Sequence, residues 1–327
     1  MMRTILMHAA AFLLAGNAVA EAATRTWVAK YGDDQNACTV TAPCKSFQGA
    51  RDKTAPGGTI SVLTPGDYGP ISIDRSINIT NDGVGEAGML VPHDPMFTAV
   101  GINFFAGPGD VVSLRGLVID GIDSGDVGIL FSQGSALHVQ NCVVRNFAGL
   151  GFGISMNNGG HGRLFVSDTL VANNHTSSNG STAAGIAIQP FGASSNADVV
   201  LNRIRAENNG TGLEVVGNYA GQGGSARVVL LNSVIAGNAG KGIALPAGPS
   251  AGSALLFVTN SSVIENGDAG VQALGQTGTI WLSKTAVTRN ATGLGVLGGG
   301  QILSYRDNEI DNNLGADGAA SGFNTPR

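Results

Sequence analysis

Short runs of alternating apolar and polar residues follow one another along most of this chain, and seven of them close in the same way. An apolar run leads to a polar residue, then to a second short apolar run, then to an asparagine six positions after the polar residue. LHVQNCVVRN, VLLNSVIAGN and FVTNSSVIEN are examples. The asparagines are Asn146, Asn173, Asn208, Asn238, Asn266, Asn290 and Asn312, and the polar residues are Gln140, Ser167, Asn202, Asn232, Asn260, Lys284 and Arg306. Successive asparagines lie 27, 35, 30, 28, 24 and 22 residues apart. After each comes a variable loop and a Gly-apolar-x-apolar segment, as at Gly153-Ile154, Gly185-Ile186 and Gly242-Ile243. Three short period-two strands per repeat, with turns between them, describe one coil of a parallel β-helix.

The pattern extends upstream. Arg115 to Gly121 keeps the six-residue interval with Gly121 in the asparagine slot, and Ile60 to Val62, Ile71 to Ile73, Ile77 to Ile79 and Met89 to Val91 supply earlier strands. The reading is an all-β, single-domain solenoid of roughly ten coils over residues 59–315, about 50 Å long at one strand spacing per coil. An asparagine at a tight bend tolerates a left-handed backbone and bonds its stacked neighbour, so the column predicts a structural amide ladder. Leucine-rich repeats also carry a recurring asparagine, but their Leu-x-x-Leu-x-Leu signature is absent and the period here varies too widely. Residues 45–54 are helix-compatible and precede Ala55-Pro56-Gly57-Gly58, which predicts a short helix capping the first coil within an N-terminal segment 24–58. Residues 316–327 read as a C-terminal tail.

Composition sharpens this picture. Of 327 residues 43% are hydrophobic and only 13% charged, which excludes a disordered chain. The net charge of −5 comes without a basic stripe, which argues against nucleic acid or an anionic membrane surface as partner. Residues 1–23 have the order of a secretory signal: Arg3, an apolar stretch from Ile5 to Gly16, and Ala18-Val19-Ala20 ahead of cleavage after Ala20 or Ala23. That stretch is too short to span a bilayer, and no later segment is long and apolar enough. In the oxidising compartment that export implies, Cys38 and Cys44 most simply form a local disulfide, while Cys142 sits in a small or apolar column and reads as a core thiol.

The opening of the domain carries a resemblance. Ser46-Phe47-Gln48-Gly49-Ala50, then Ala55-Pro56-Gly57-Gly58-Thr59-Ile60-Ser61-Val62, then Pro65-Gly66-Asp67-Tyr68 is similar in order to the start of the right-handed parallel β-helix, or pectin-lyase-like, superfamily. Coils such as Asn232-Ser233-Val234-Ile235 resemble its repeats. The resemblance covers nearly all of the mature chain and implies a right-handed helix. It leaves activity open, because the superfamily holds lyases, hydrolases, epimerases, esterases and adhesins.

Four features bear on chemistry. Gly160-His161-Gly162 with Arg203-Ile204-Arg205 is similar to elements of polygalacturonases, but the carboxylate elements of those enzymes are missing. Pro92-His93-Asp94 matches part of an alginate-epimerase element, with Val91 in place of its leading acid. Asp120, Asp123 and Asp126 form an Asp-x-x-Asp-x-x-Asp run, a candidate calcium site for a lyase, although a solvent-facing turn rich in Asp, Ser and Gly is the simpler reading. The polar column of Arg115, Gln140, Ser167, Asn202, Asn232, Asn260, Lys284 and Arg306 is a candidate ligand stripe for an extended polysaccharide. Aromatic residues are few, with Trp27 outside the expected coils and Trp281 inside an apolar run. Two functional readings follow. One is a secreted, non-catalytic binding or scaffold protein at the cell envelope; the other is a calcium-dependent uronate lyase.

Overall fold

The computed structural model describes residues 22–175, 183–192, 194–217, 224–246, 252–276 and 278–324. Strands recur in threes, and every pairing among them is parallel. The coils build three sheets, of twelve, ten and nine strands. One coil runs Ala136–Gln140 in the twelve-stranded sheet, Val143–Arg145 in the ten-stranded sheet and Phe152–Met156 in the nine-stranded sheet. The expected leader, residues 1–23, lies outside the described residues except for Ala22 and Ala23.

Alternation decides what faces inward. In His161–Ser167 the side chains of Leu164 and Val166 are buried, while His161 and Arg163 point to solvent. Ile129, Ile154, Ile186, Leu213, Ile243 and Val271 stack in register through the nine-stranded sheet, each fully buried. Each such side chain contributes about 2 kcal/mol relative to leaving it in water, and each coil buries its apolar face only against its neighbours.

Two left-handed corners bracket the six successive strands of the ten-stranded sheet from Val143–Arg145 to Ala286–Thr288, and single ones continue the columns on either side. The first is held by Gly116, Asn141, Asp168, Arg203, Asn232, Asn260 and Lys284; the second by Asn146, Asn173, Asn208, Gly237, Glu265, Arg289 and Asn312. In those six coils the two lie five residues apart, and the residue after each corner turns into the core.

This geometry corrects the asparagine column. The ladder is Asn174, Asn209, Asn238, Asn266, Asn290 and Asn313, the first five buried and Asn313 half-buried. Asn238 Nδ2 donates to Asn266 Oδ1 (2.8 Å), and the Asn238 backbone N–H donates to the same oxygen (3.1 Å). Phe147 begins the ladder by donating its N–H to Asn174, and Asp317 ends it by accepting from Asn313. Asn146, Asn173, Asn208 and Asn312 are corner residues, one position ahead of the ladder. Only Asn238, Asn266 and Asn290 of the expected seven belong to it. Gly121 pairs in register with the corner position, but the left-handed residues there are Ile122 and Asp123.

The polar column divides the same way. Arg115, Gln140, Ser167 and Asn202 end strands of the large sheet in mutual register, whereas Asn232, Asn260, Lys284 and Arg306 are left-handed residues one position further on. Six residues separate a strand end from the second corner, and six also separate the first corner from the ladder. One interval therefore joined two different columns. Inside the first corner runs a second ladder, of hydroxyls: the N–H of Cys142 donates to Thr169, that of Ile204 to Ser233, and that of Ser233 to Ser261. Cys142 is buried in this column, as expected, and burial pushes its thiol up to about 11.

The stack passes both expected boundaries. Ala23–Val28 is the first strand of the large sheet, pairing with Thr54–Val62, and Gly322–Phe323 is its last. Phe47–Arg51 is a single helical turn, with Ser46 accepting from the Gly49 N–H as its N-cap. It stops short of Thr54 because the Ala55-Pro56-Gly57-Gly58 segment is already strand. Cys38 and Cys44 form a disulfide, and the loop it closes bonds to both sides of Trp27, covering the outer edge of the first strand. A covered edge blocks strand addition there. No helix of the described residues is long and apolar enough to cross a membrane.

Candidate functional site

Twelve residues, one per strand, stand in register down the middle of the large sheet's outer face. From the N-terminal end they are Arg25, Thr59, Asn78, Ser113 and His138, then Phe165, Val200, Val229, Phe257, Trp281 and Leu303, then Gly322. The first five are polar and the next six apolar. On the ten strands from Thr59 to Leu303 the flanking residues point into the core, so alternation sends this column outward. At one strand spacing per coil it is roughly 50 Å long.

The polar end is concave. Arg25, Asn78, Asp82, Arg115, His138 and Gln140 line a cavity of about 450 Å³, and Arg115 pairs with Asp82 across it. Burial and the charge of Arg163 push His138 below its usual value, so it is neutral at physiological pH. Its ring stacks on Phe165 at 4.7 Å between centroids with planes 8° apart. Further along, Phe257 meets Tyr305 edge to face, and Trp281 sits in the strand adjoining that of Phe257. Parallel to this track, Trp27, Ser61, Thr80, Arg115, Gln140, Ser167 and Asn202 form the strand-end column. Trp27 thus lies on this face, within the first coil. Asn232 donates to Asn202 (2.9 Å) and Asn260 to Asn232 (2.6 Å), so these three stripe residues meet in an exposed amide row despite the register shift. Lys284 and Arg306 lie further along the same corner, and Arg306 stacks over the ring of Phe323.

The three aspartates do not converge. Asp120 accepts from Arg145 Nε (2.7 Å), the Ile122 N–H (2.9 Å) and Asn146 Nδ2 (3.0 Å). Burial opposes its ionisation, and these bonds outweigh burial and hold the carboxyl below its ordinary value. Asp126 is buried and accepts the N–H groups of Ala99 and Leu150. Asp123 is exposed on a left-handed turn. Among the described residues no group of three His, Cys, Asp or Glu side chains is placed to hold a metal ion, so the expected calcium site is not assembled. The spacing was right for a ligand loop, but two of the carboxylates are spent on backbone and arginine.

The remaining motifs are also separated. His161 begins its strand, whereas Arg203 follows the end of the next one and is paired with Asp168 (2.6 Å). Asp94 caps its own loop by accepting from the Met96 N–H (2.8 Å).

Sequence reasoning missed one buried acid. Glu214 is the x of Gly212-Leu213-Glu214, on the outer face of the nine-stranded sheet between Ala187 and Ala244. It is 8% exposed and accepts from Gln189 Nε2 (2.9 Å). Burial raises its pKa, partly offset by Gln189 and Lys241. Comparing the x positions of the Gly-apolar-x segments would have singled it out, because it is the one carboxylate among them.

Parallel three-sheet coils with an internal amide ladder define a parallel β-helix. The family described as the right handed beta helix region matches residues 100–287, and the chain belongs to that family. Among solved structures a pectate lyase, Pel9A, superposes with a TM-score of 0.63 at 17% identity, over 92% of this chain and 78% of that one. A rhamnogalacturonan lyase gives 0.49 at 13% identity, over 88% and 87%. The A-module of a mannuronan C-5 epimerase from Azotobacter vinelandii gives 0.47 at 13%, over 83% and 91%. At these identities the likeness is one of fold. No curated protein matches the sequence.

Proposed function

We propose that this is an exported, non-catalytic binding or scaffold protein of the cell envelope or its surroundings, and that an extended polysaccharide lies along the outer face of the twelve-stranded sheet. The observation that carries the reading is the outward column from Arg25 to Leu303. Apolar residues in register at six successive coils are rare on a solvent face unless something covers them. Aromatic rings suit the C–H faces of sugars, while the strand-end column offers amides and hydroxyls to their edges. The polar end supplies Arg25 for a carboxylate, with Arg115 shared between Asp82 and the cavity, so the reading favours a polymer bearing uronate units. The disulfide agrees with an oxidising compartment, and so with export.

The test is affinity electrophoresis through gels containing acidic and neutral polysaccharides. Retardation by at least one acidic polymer is expected, with Trp281→Ala weakening it roughly tenfold, the scale of one lost aromatic contact. Retardation by none, or an unchanged Trp281→Ala, removes the binding surface. The competing lyase reading is checked in the same samples: calcium-dependent formation of an unsaturated product would replace the scaffold reading with it.

A further inference from the structure

A second cavity, of about 520 Å³, opens at the corner where the nine-stranded sheet passes to the twelve-stranded one. Two aromatic rings line it. Phe105 is 59% exposed and Phe191 42% exposed. They come from different coils: Phe105 pairs with Gln133 in the next coil, Asn157 follows in the third, and Phe191 donates its N–H to the Asn158 carbonyl from the fourth. Three coil spacings, roughly 14 Å, therefore separate the two aromatics along the axis.

The floor between them is made of residues that leave space. A Cβ on Gly160 would meet nothing within 4 Å, and one on Gly159 would meet only the Phe191 carbonyl at 3.8 Å. Neither glycine has a left-handed backbone, so neither is required by its turn. The polar groups are amides, a hydroxyl and an imidazole: Gln133, Asn157, Asn158, Ser132 and His161, with no carboxylate and no Lys or Arg. Asn158 is only 1% exposed; its Nδ2 donates to the carbonyls of Gly160 and Asn196, while its Oδ1 has no partner. A buried amide oxygen left without a donor costs free energy, so Asn158 is held at the cavity wall at a cost. Asn196 Nδ2 lies 3.0 Å from His161 Nδ1 and holds the imidazole at the cavity wall.

We propose that this cavity binds a short segment of neutral glycan, about two to three pyranose units long. Sugar rings present C–H faces to aromatics and hydroxyls to amides, which is the division of chemistry found between the two phenylalanines. A uronate segment would find no cation here. A hydrophobic peptide would bury Asn157 and Gln133 without partners. The site is distinct from the open sheet face and stands whether or not that face binds polymer.

Titration calorimetry on the whole protein tests it, with the trisaccharides of β-1,4-glucan, β-1,4-mannan and α-1,4-glucan and with trigalacturonate as probes. At least one neutral trisaccharide is expected to bind, and any binding of trigalacturonate, which belongs to the sheet face, is expected to be insensitive to Phe191→Ala and to Gly160→Trp. Phe191→Ala should weaken binding about tenfold. Gly160→Trp, which fills the cavity from a position with room for a side chain, should abolish binding with an unchanged melting temperature. Trp281→Ala should leave it intact, which separates this site from the sheet face. Absence of binding by every neutral probe, trigalacturonate binding that is lost with Gly160→Trp, or neutral-probe binding that survives Gly160→Trp would overturn the assignment.

Discussion

Asn173 and Asn174 are chain neighbours with opposite environments. Asn173 is exposed at a corner, with a φ of 57°, and its amide reaches only Asn146 in the coil before (3.3 Å). Asn174 is fully buried, and its oxygen and amide tie the corner of one coil to the next through Phe147 and Asn209. The corner column accepts Asn, Gly, Glu and Arg, because it asks for little beyond a tolerable left-handed backbone and solvent for the side chain. The ladder column accepts asparagine in six successive coils, because only a side chain with both a donor and an acceptor can serve the coil on each side. Repetition alone does not reveal which demand a column answers.

The largest expected effect comes from breaking the ladder in its interior. Asn266 accepts from both the N–H and the amide of Asn238, and its own amide donates to the Ile235 carbonyl and to Asn290. Asn266→Ala strands several buried groups at once, each worth about 1–3 kcal/mol when left unpaired. A loss of about 3 kcal/mol in urea unfolding is expected. A loss under about 1 kcal/mol would mean that the ladder is ornamental and that the stacked aliphatic columns alone hold the coils together.

A buried group that titrates sharpens the contrast, since the amides of the ladder bear no charge at any pH. Burial raises the pKa of Glu214 in the folded protein, so between its ordinary value and the folded one the native state holds more protons than the unfolded chain. Stability is complete below that window and is lost as pH rises through the folded-state value. Glu214→Gln keeps the shape and removes the charge. The variant should be the more stable protein at neutral pH, by less than the ladder effect, and should lack this part of the pH dependence. A wild-type stability that stays flat from pH 4 to 8 would refute the buried-acid account.

The sequence revealed the coils because inward positions have no alternative to apolar residues, and the period-two runs and Gly-apolar-x segments record that directly. It did not reveal the register at the corners. Asparagine serves both the left-handed turn and the ladder behind it, so Asn173-Asn174, Asn208-Asn209 and Asn312-Asn313 offer two candidates for one slot. The outward track was hidden for a different reason. Phe257 lies in Leu255-Leu256-Phe257-Val258 and Trp281 in Ile280-Trp281-Leu282, continuous apolar runs in which alternation leaves no trace. The corner cavity was less legible still, since Phe105, Gly160 and Phe191 are brought together only by stacking. Asp120, Asp123 and Asp126 show the reverse: a legible motif whose side chains are committed elsewhere.

The smallest effect belongs to the corner column. Asn208 is exposed with a φ of 55°, and Gly237 holds the same position one coil later at 62°. Asn208→Gly should therefore change stability by only a few tenths of a kcal/mol, the relief of the left-handed backbone roughly balancing the extra chain entropy of glycine. Asn208→Val keeps the exposure but places a β-branched residue in the left-handed region, which costs about 1–2 kcal/mol. Near-neutral glycine beside a destabilising valine identifies a position selected for backbone conformation. If Asn208→Gly instead cost as much as Asn266→Ala, the exposed amide would have to be part of the ladder, and the two columns would act as a single structural unit.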